Sequence, residues 1–281
     1  MKFGYLTTFS EDELKRASSI GFDALEVHAR SWGEDLATAG GRKKAAAAAK
    51  DLLDQYGMSI SAVAHYSAGG TVKERVAAYR GIIDFCKQLG VGVIATLAGS
   101  DPETTIEDSL KGWTKVFSQV AKIATDNRIK IAFENWPGLR PQFPMKTVNI
   151  AFMPRVWDMM FDAVPSKALG LEFDPSHFVW QGIDYLETAR RFMKRIYHVH
   201  AKDTEIREDR LKQDGFFTTG WWRYRIPGFG VVKWAEFISV LREGGYDGGI
   251  AIEHEDQVFW GPRHTEGLQL GYNNLRPLIC V

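Results

Sequence analysis

The chain is poor in cysteine, in net charge and in long apolar runs. Only Cys86 and Cys280 occur, neither in a CxxC pattern, so no disulfide is indicated by spacing and reduced thiols are expected. Lys plus Arg and Asp plus Glu both total 35, which leaves a formal net charge of zero and argues against a polyanion-binding surface. No stretch approaches the roughly 18 uninterrupted apolar residues of a membrane span. The N-terminal MKFGYLTTFSEDELK lacks the apolar core of a signal peptide, so a soluble cytoplasmic protein is expected. No GxGxxG follows the first β-rich run, where TTFSEDE stands instead. No Pro/Ser-rich linker divides the chain, and the only low-complexity tract is an AAAAA run.

What is present is a regular alternation. Eight β-rich runs recur: KFGYLTT (2–8), FDALEVHA (22–29), SISAVAHY (59–66), VGVIATLAG (91–99), IKIAFENWP (129–137), ALGLEFDPSH (168–177), RIYHVHAKD (195–203) and GGIAIEHED (248–256). Segments of helical character separate them. EDELKRASSIG and RKKAAAAAKDLLDQYG each stop at a glycine, GWTKVFSQVAKIATDN repeats apolar residues at intervals of three and four, and VKWAEFISVLREGG closes on two glycines. Strands alternating with helices pair in parallel through crossovers. Eight such units in 281 residues predict an α/β fold, a single (β/α)8 TIM barrel spanning 1–281, with an extended loop after the seventh strand at about 204–230.

A barrel places chemistry at the C-terminal ends of its strands. Here the runs turn polar at those ends, in AFEN, EFDPSH, HVHAKD and AIEHED. Side chains alternate along a strand, so Leu171 and Phe173 share one face and Glu172 and Asp174 the other. The same alternation groups His198 with His200 and Glu253 with Glu255. Strands five to eight thus each offer one group at a common height: Glu134, Asp174, His200 and Glu253. One imidazole among three carboxylates suits a hard or borderline divalent cation such as Mn²⁺, Mg²⁺, Co²⁺ or Zn²⁺, and without a cation the carboxylates would repel. Taken singly, each residue is more simply a rim charge or a structural hydrogen-bonding group, and the argument rests on the four together. Glu172 lies a layer deeper and is expected to form buried hydrogen bonds. His28 and Glu26 are left open between mouth and floor. His65 ends strand three. Lys202 shares the face of His200, to meet a substrate oxygen or pair with Glu253 or Asp174. Trp136, Trp180, Trp221, Trp222 and Trp260 fall near the mouth, where aromatic faces suit sugar rings.

In this order, FENWPG, LEFDPSH, HVHAKD, PGFG-VVKW and IEHED make the chain resemble the xylose isomerase-like TIM barrels, over essentially its whole length. The ketose 3-epimerase branch implies one divalent ion, Mn²⁺ first, on Glu134, Asp174, His200 and Glu253. It also implies His177 at a substrate oxygen and a homodimer or homotetramer. Its arginine after the strand-seven histidine is displaced here, where Ile206 stands and Arg207 follows, so Arg223 or Arg225 is the candidate replacement. Endonuclease IV shares the four positions but needs further histidines, and TLAGS and the 204–230 loop have none. No nucleic-acid or membrane partner is therefore expected.

The expected activity is isomerisation or epimerisation of a keto-sugar through an enediolate, with Glu134 and Glu253 as the acid/base pair and His65, Trp136, His177, Lys202 and Arg225 on the substrate. The alternative is dehydration of a keto-polyol, in the manner of inosose dehydratase. A non-catalytic sugar-binding barrel is the reading outside enzymology. PGFG, 227–230, is a weak candidate for a phosphate-binding turn, and a non-phosphorylated sugar is preferred.

Overall fold

The computed structural model describes residues 1–67, 69–140 and 146–279, so Cys280 lies outside the described residues. Eight parallel strands close a barrel: β1 (Lys2–Thr7), β2 (Ala24–His28), β3 (Ser59–Ala64), β4 (Val93–Thr96), β5 (Lys130–Glu134), β6 (Leu169–Phe173), β7 (Ile196–Ala201) and β8 (Gly249–Ile252). Each strand pairs with its sequence neighbours, and β1 closes on β8 with Phe3 opposite Ile250. The single TIM barrel expected from the eight runs is the fold found.

Helices ring the strands: α1 (Glu11–Ile20), α2 (Ala39–Tyr56), α3 (Val72–Leu89), α4 (Ile106–Asn127), α5 (Pro154–Ala163), α6 (Pro175–Gln181), α7 (Tyr185–Phe192), α8 (Glu208–Asp214), α9 (Trp234–Glu243) and α10 (His264–Ile279). Their ends follow local chemistry. Ser10 caps α1 through the Glu13 amide, and Thr71 forms a reciprocal capping box with Glu74 at α3. Gly21 ends α1 at φ 106°, a backbone conformation open to glycine at little steric cost. Among the described residues no helix is long and apolar enough to cross a membrane.

Alternation divides the side chains between two environments. The outward set packs under the helices. Phe133 meets Trp113 and Phe117, while Phe173 meets Trp157, Phe178 and Phe237. Each such buried aromatic contributes about 2–3 kcal/mol through lost apolar surface. The inward set is different. TIM-barrel lumens are usually filled by layers of branched aliphatics. Here a small apolar cluster of Ala62, Ala64 and Ala95, flanked by Leu6, Tyr66 and Val93, shares the interior with buried Glu26, Glu172, His198 and His200. Gly249 makes room for them, since a Cβ there would meet His198 Nε2 at 2.7 Å.

The segment after β7 is not irregular. Asp203–Ile206 pairs antiparallel with Trp222–Arg225, with α8 between them. The hairpin is anchored by Asp203, which is fully buried and accepts from the amides of Thr204, Gly228 and Val232 and from the Trp234 indole, all at 2.8–2.9 Å. This changes the reading of PGFG. The Gly228 amide already holds an anion, and it is the protein's own carboxylate. A Cβ at Gly230 would lie 2.2 Å from Asp203 Oδ1, so the turn wraps that carboxylate closely.

Candidate metal centre

Glu134 is the last residue of β5, Asp174 follows β6 as the N-cap of α6, His200 lies near the end of β7, and Glu253 follows β8. All four stand at or just past the C-terminal ends of their strands, so the four side chains share the same mouth. One ligand atom from each lies within 4.8 Å of the others. Asp174 and His200 are fully buried. His200 Nδ1 sits 3.1 Å from Glu253 Oε2 and 3.6 Å from Glu134 Oε1, yet has no hydrogen-bond partner of proper geometry. Asp174 Oδ2 is likewise without one, although His177 Nε2 and Lys202 Nζ lie at 3.2 and 3.3 Å. Orphaned buried donors and acceptors are rare in a folded protein, because each costs the desolvation of that group. Here both orphans point into one four-residue cluster, and a cation among them would satisfy both.

The electrostatics divide the carboxylates. Burial, followed by the charge of Glu253, pushes Glu134 up to about 8. Glu253 is also raised by burial, but the ammonium of Lys202 and the imidazole of His200 outweigh it and hold it well below the carboxylate range. Burial likewise raises Asp174, against the pull of Lys202. Lys202 is 1% exposed and donates to Glu253 Oε2 at 2.5 Å and Glu255 Oε2 at 2.9 Å. Its ammonium also lies over the Tyr224 ring, 4.3 Å from the centroid. Both pairings suggested by strand alternation, with Glu253 and Asp174, are present.

His177 lies in the first turn of α6, with Nε2 3.3 Å from Glu134 Oε1 and Nδ1 2.8 Å from the Tyr224 hydroxyl. Burial and then the Lys202 charge keep its ring neutral. Each ring nitrogen thus has a polar partner, a carboxyl group on Nε2 and a phenol on Nδ1.

A second tier lies beneath. His200 Nε2 donates to the ionised Glu26 Oε2 at 2.9 Å, and His198 Nδ1 lies 2.9 Å from Glu172 Oε1. The Tyr66 hydroxyl donates to Glu172 Oε2 at 2.7 Å and reaches Glu26 Oε1 at 3.3 Å. The Ser61 hydroxyl reaches His198 Nε2 at 3.0 Å. Burial and the charge of Glu26 push Glu172 well above the carboxylate range. Burial opposes ionisation of Glu26 too, but His200 and His198 outweigh it and its carboxyl is lowered. The deep hydrogen-bonding role expected of Glu172 is therefore found, and Glu26 joins it on the floor.

Other expected contacts fall elsewhere. His65 turns away from the lumen, its ring edge-on to Tyr79 at 5.4 Å, and Tyr66 takes the inward position beside it. His65, Tyr66 and His28 instead line a cleft of about 590 Å³ together with Leu36, Gly81 and Ile82. Arg225 pairs with Asp256 at 2.8 Å and with Glu205, and so ties the hairpin to the segment after β8. Arg223 also pairs with Glu205, at 2.8 Å. Trp136 is 37% exposed, whereas Trp180 and Trp222 stack on each other at 4.8 Å and Trp221 is buried. Tyr66 and Tyr224 were not singled out in the sequence. The alternation of Ala62, Ala64 and Tyr66 points to the first, and the hairpin strand WRYR to the second.

Known proteins share this architecture. Inosose dehydratase from Geobacillus thermodenitrificans is 25% identical over 73% of this chain and 72% of its own length. Across the first three curated relatives it matches, the chain spans 40%, 72% and 34% of their length. The IOLI protein, solved with a bound zinc atom, superposes with a TM-score of 0.73 at 19% identity, over 99% of this chain and 98% of that one. A D-psicose 3-epimerase solved in the presence of D-fructose gives 0.74 at 14% identity, over 99% of both. At such identities the two structures show the shared fold. The family model for xylose isomerase-like TIM barrels matches residues 14–274, and this chain belongs to that family.

Proposed function

We propose that the chain is a divalent-metal-dependent enzyme that isomerises or epimerises a keto-sugar through an enediolate, with Glu134, Asp174, His200 and Glu253 holding one ion. The observation that carries this is the tetrad itself: four donors from four consecutive strands, two of them buried without a hydrogen-bond partner. Three carboxylates and one imidazole suit Mn²⁺ first, with Mg²⁺, Co²⁺ and Zn²⁺ as alternatives. The zinc in the IOLI protein supports an ion in this fold.

When bound, the ion supplies Lewis-acid polarisation of a carbonyl and charge that stabilises the developing enediolate. The protein supplies the proton chemistry. In the metal-free site Glu134 holds its proton far more tightly than Glu253, an asymmetry of proton affinity of the kind that an acid/base pair uses. Glu253 takes the α-proton and Glu134 returns one, to the opposite face in epimerisation or to the neighbouring carbon in isomerisation. Neutral His177, oriented by Tyr224, and the Lys202 ammonium bind substrate oxygens at this mouth. Trp136 offers an exposed ring, and His65 lines the adjoining cleft.

Lys202 favours a second reading. A buried ammonium beside the base can donate to a departing β-hydroxyl, so that the enediolate loses water. Relatives named inosose dehydratase support this outcome for a keto-polyol. Incubating ketoses and inososes with metal-loaded protein in deuterated water separates the two. Deuterium entering at the α-carbon without water loss supports isomerisation, and net loss of water supports elimination. If neither occurs while sugars bind Glu134→Gln and Glu253→Gln as tightly as wild type, the non-catalytic sugar-binding barrel replaces both.

A further inference from the structure

His200 belongs to two clusters at once. Its Nδ1 faces Glu134 and Glu253 in the mouth, and its Nε2 faces Glu26 and Glu172 beneath. Either cluster offers four groups with metal-ligating atoms within 4.8 Å of one another. Their hydrogen bonding differs. Among the side chains of these two clusters, the buried atoms without a hydrogen-bond partner are Asp174 Oδ2 and His200 Nδ1, both in the upper one. In the lower cluster the shared imidazole meets Glu26, His198 meets Glu172 and Ser61, and Glu172 meets Tyr66. A neutral imidazole offers one lone pair and one N–H. If Nδ1 gives its lone pair upward, Nε2 must keep its proton, and that proton needs an acceptor in a lumen closed to water. Glu26 Oε2 supplies it at 2.9 Å, against 3.3 Å to Glu172 Oε1 and 3.4 Å to the Tyr66 oxygen.

We propose that Glu26 is the positioning residue of the metal centre: it accepts the Nε2–H of His200, fixes which nitrogen faces the mouth, and restricts the lumen to one ion in the upper cluster. The proposal rests on the reading that the tetrad binds a metal. Glu26 touches no substrate and acts through His200. A carboxylate or carbonyl behind a ligating imidazole raises its basicity and holds its ring plane, and losing such a partner costs about 10–100-fold in metal affinity.

The test is Zn²⁺ affinity and stoichiometry, measured by competition with a chromophoric chelator on the full chain at one pH. Wild type is expected to take one ion. Glu26→Ala is expected to bind about 10–100-fold more weakly. Glu26→Gln keeps an acceptor oxygen and should recover most of that loss. Ser61→Ala cuts the same hydrogen-bonded chain beyond His198 and should bind as wild type does, which separates positioning from general loosening of the lumen. Histidine ¹⁵N spectra of ¹¹³Cd-loaded wild type add a readout that needs no variant, with coupling expected at Nδ1 of His200. Two ions per chain, coupling at Nε2, Glu26→Ala equal to wild type, or Ser61→Ala as weak as Glu26→Ala would each overturn the proposal. If wild type binds no ion, the metal reading fails as well. If it binds one tightly and Glu26→Ala matches it, only the role of Glu26 fails.

Discussion

Replacing Lys202 by methionine should destabilise the metal-free protein and leave the metal-loaded protein less affected. The ammonium is 1% exposed and lies 2.5 Å from Glu253, 2.9 Å from Glu255 and 3.3 Å from Asp174. Methionine fills much the same volume and removes the charge. Glu255 is 44% exposed on its side chain, so solvent screens its share, but Asp174 is fully buried and Glu253 only 16% exposed on its side chain, and both are left with the His200 imidazole as their compensating cation. Removing one partner of a buried ion pair costs about 3–5 kcal/mol. For a chain of this size that corresponds to roughly 5–8 °C in Tm. A divalent ion brings two charges to the same carboxylates, so saturating metal should stabilise the variant more than wild type and narrow the gap. The assay is urea or thermal unfolding of both proteins, in chelator and at a metal concentration about 100 times Kd, where binding alone adds about 2.7 kcal/mol. Equal midpoints in chelator would refute Lys202 as the counter-charge of the metal-free site. A gap unchanged by metal would refute the idea that ion and ammonium serve the same carboxylates.

Three further outcomes are expected. Metal binding should release protons and strengthen with pH up to about 8, because Glu134 is pushed up to about 8 and must lose its proton to become a ligand; titration calorimetry in buffers of different ionisation heat reads the proton count. Asp203→Ala should cost roughly 3 kcal/mol or more in urea unfolding, since it leaves three amides and the Trp234 indole without their acceptor at about 1–3 kcal/mol each before water enters. Cys86 is fully buried, and burial pushes its thiol up, so in a Cys280→Ser background it should resist a thiol reagent until the protein unfolds; rapid labelling of the native protein would contradict that packing.

The barrel was legible because its signals are local. Each strand runs from apolar to polar within about eight residues, and the period of two decides which of those residues face inward. That rule separated Phe173, under the helices, from Asp174 at the mouth, and it gathered the tetrad from four strands without any contact being known. It stopped where contacts cross the lumen. Glu26 and His198 come from strands on different sides of the barrel, 172 positions apart, and no local pattern says that they share a floor. Tyr66 was within reach of the same rule, since it continues Ala62 and Ala64, but His65 beside it drew the assignment through its chemistry. The post-β7 hairpin was hidden because two four-residue strands are separated by α8 and a glycine-rich turn. Arg225 was assigned to substrate on the need for a cation there, whereas Glu205 and Asp256 already surround it. PGFG was read as a turn awaiting an anion, and the anion lies 25 residues upstream in Asp203.

Metal content tests the central claim most directly. The protein, purified without chelator or added metal, should carry or take up one divalent ion per chain by elemental analysis after reconstitution with Mn²⁺, Zn²⁺ or Mg²⁺. Glu134→Gln and Asp174→Asn should each lower that stoichiometry or affinity while the fold, read by circular dichroism, stays intact. A folded wild-type protein that holds no stoichiometric ion under any of these conditions would contradict the account.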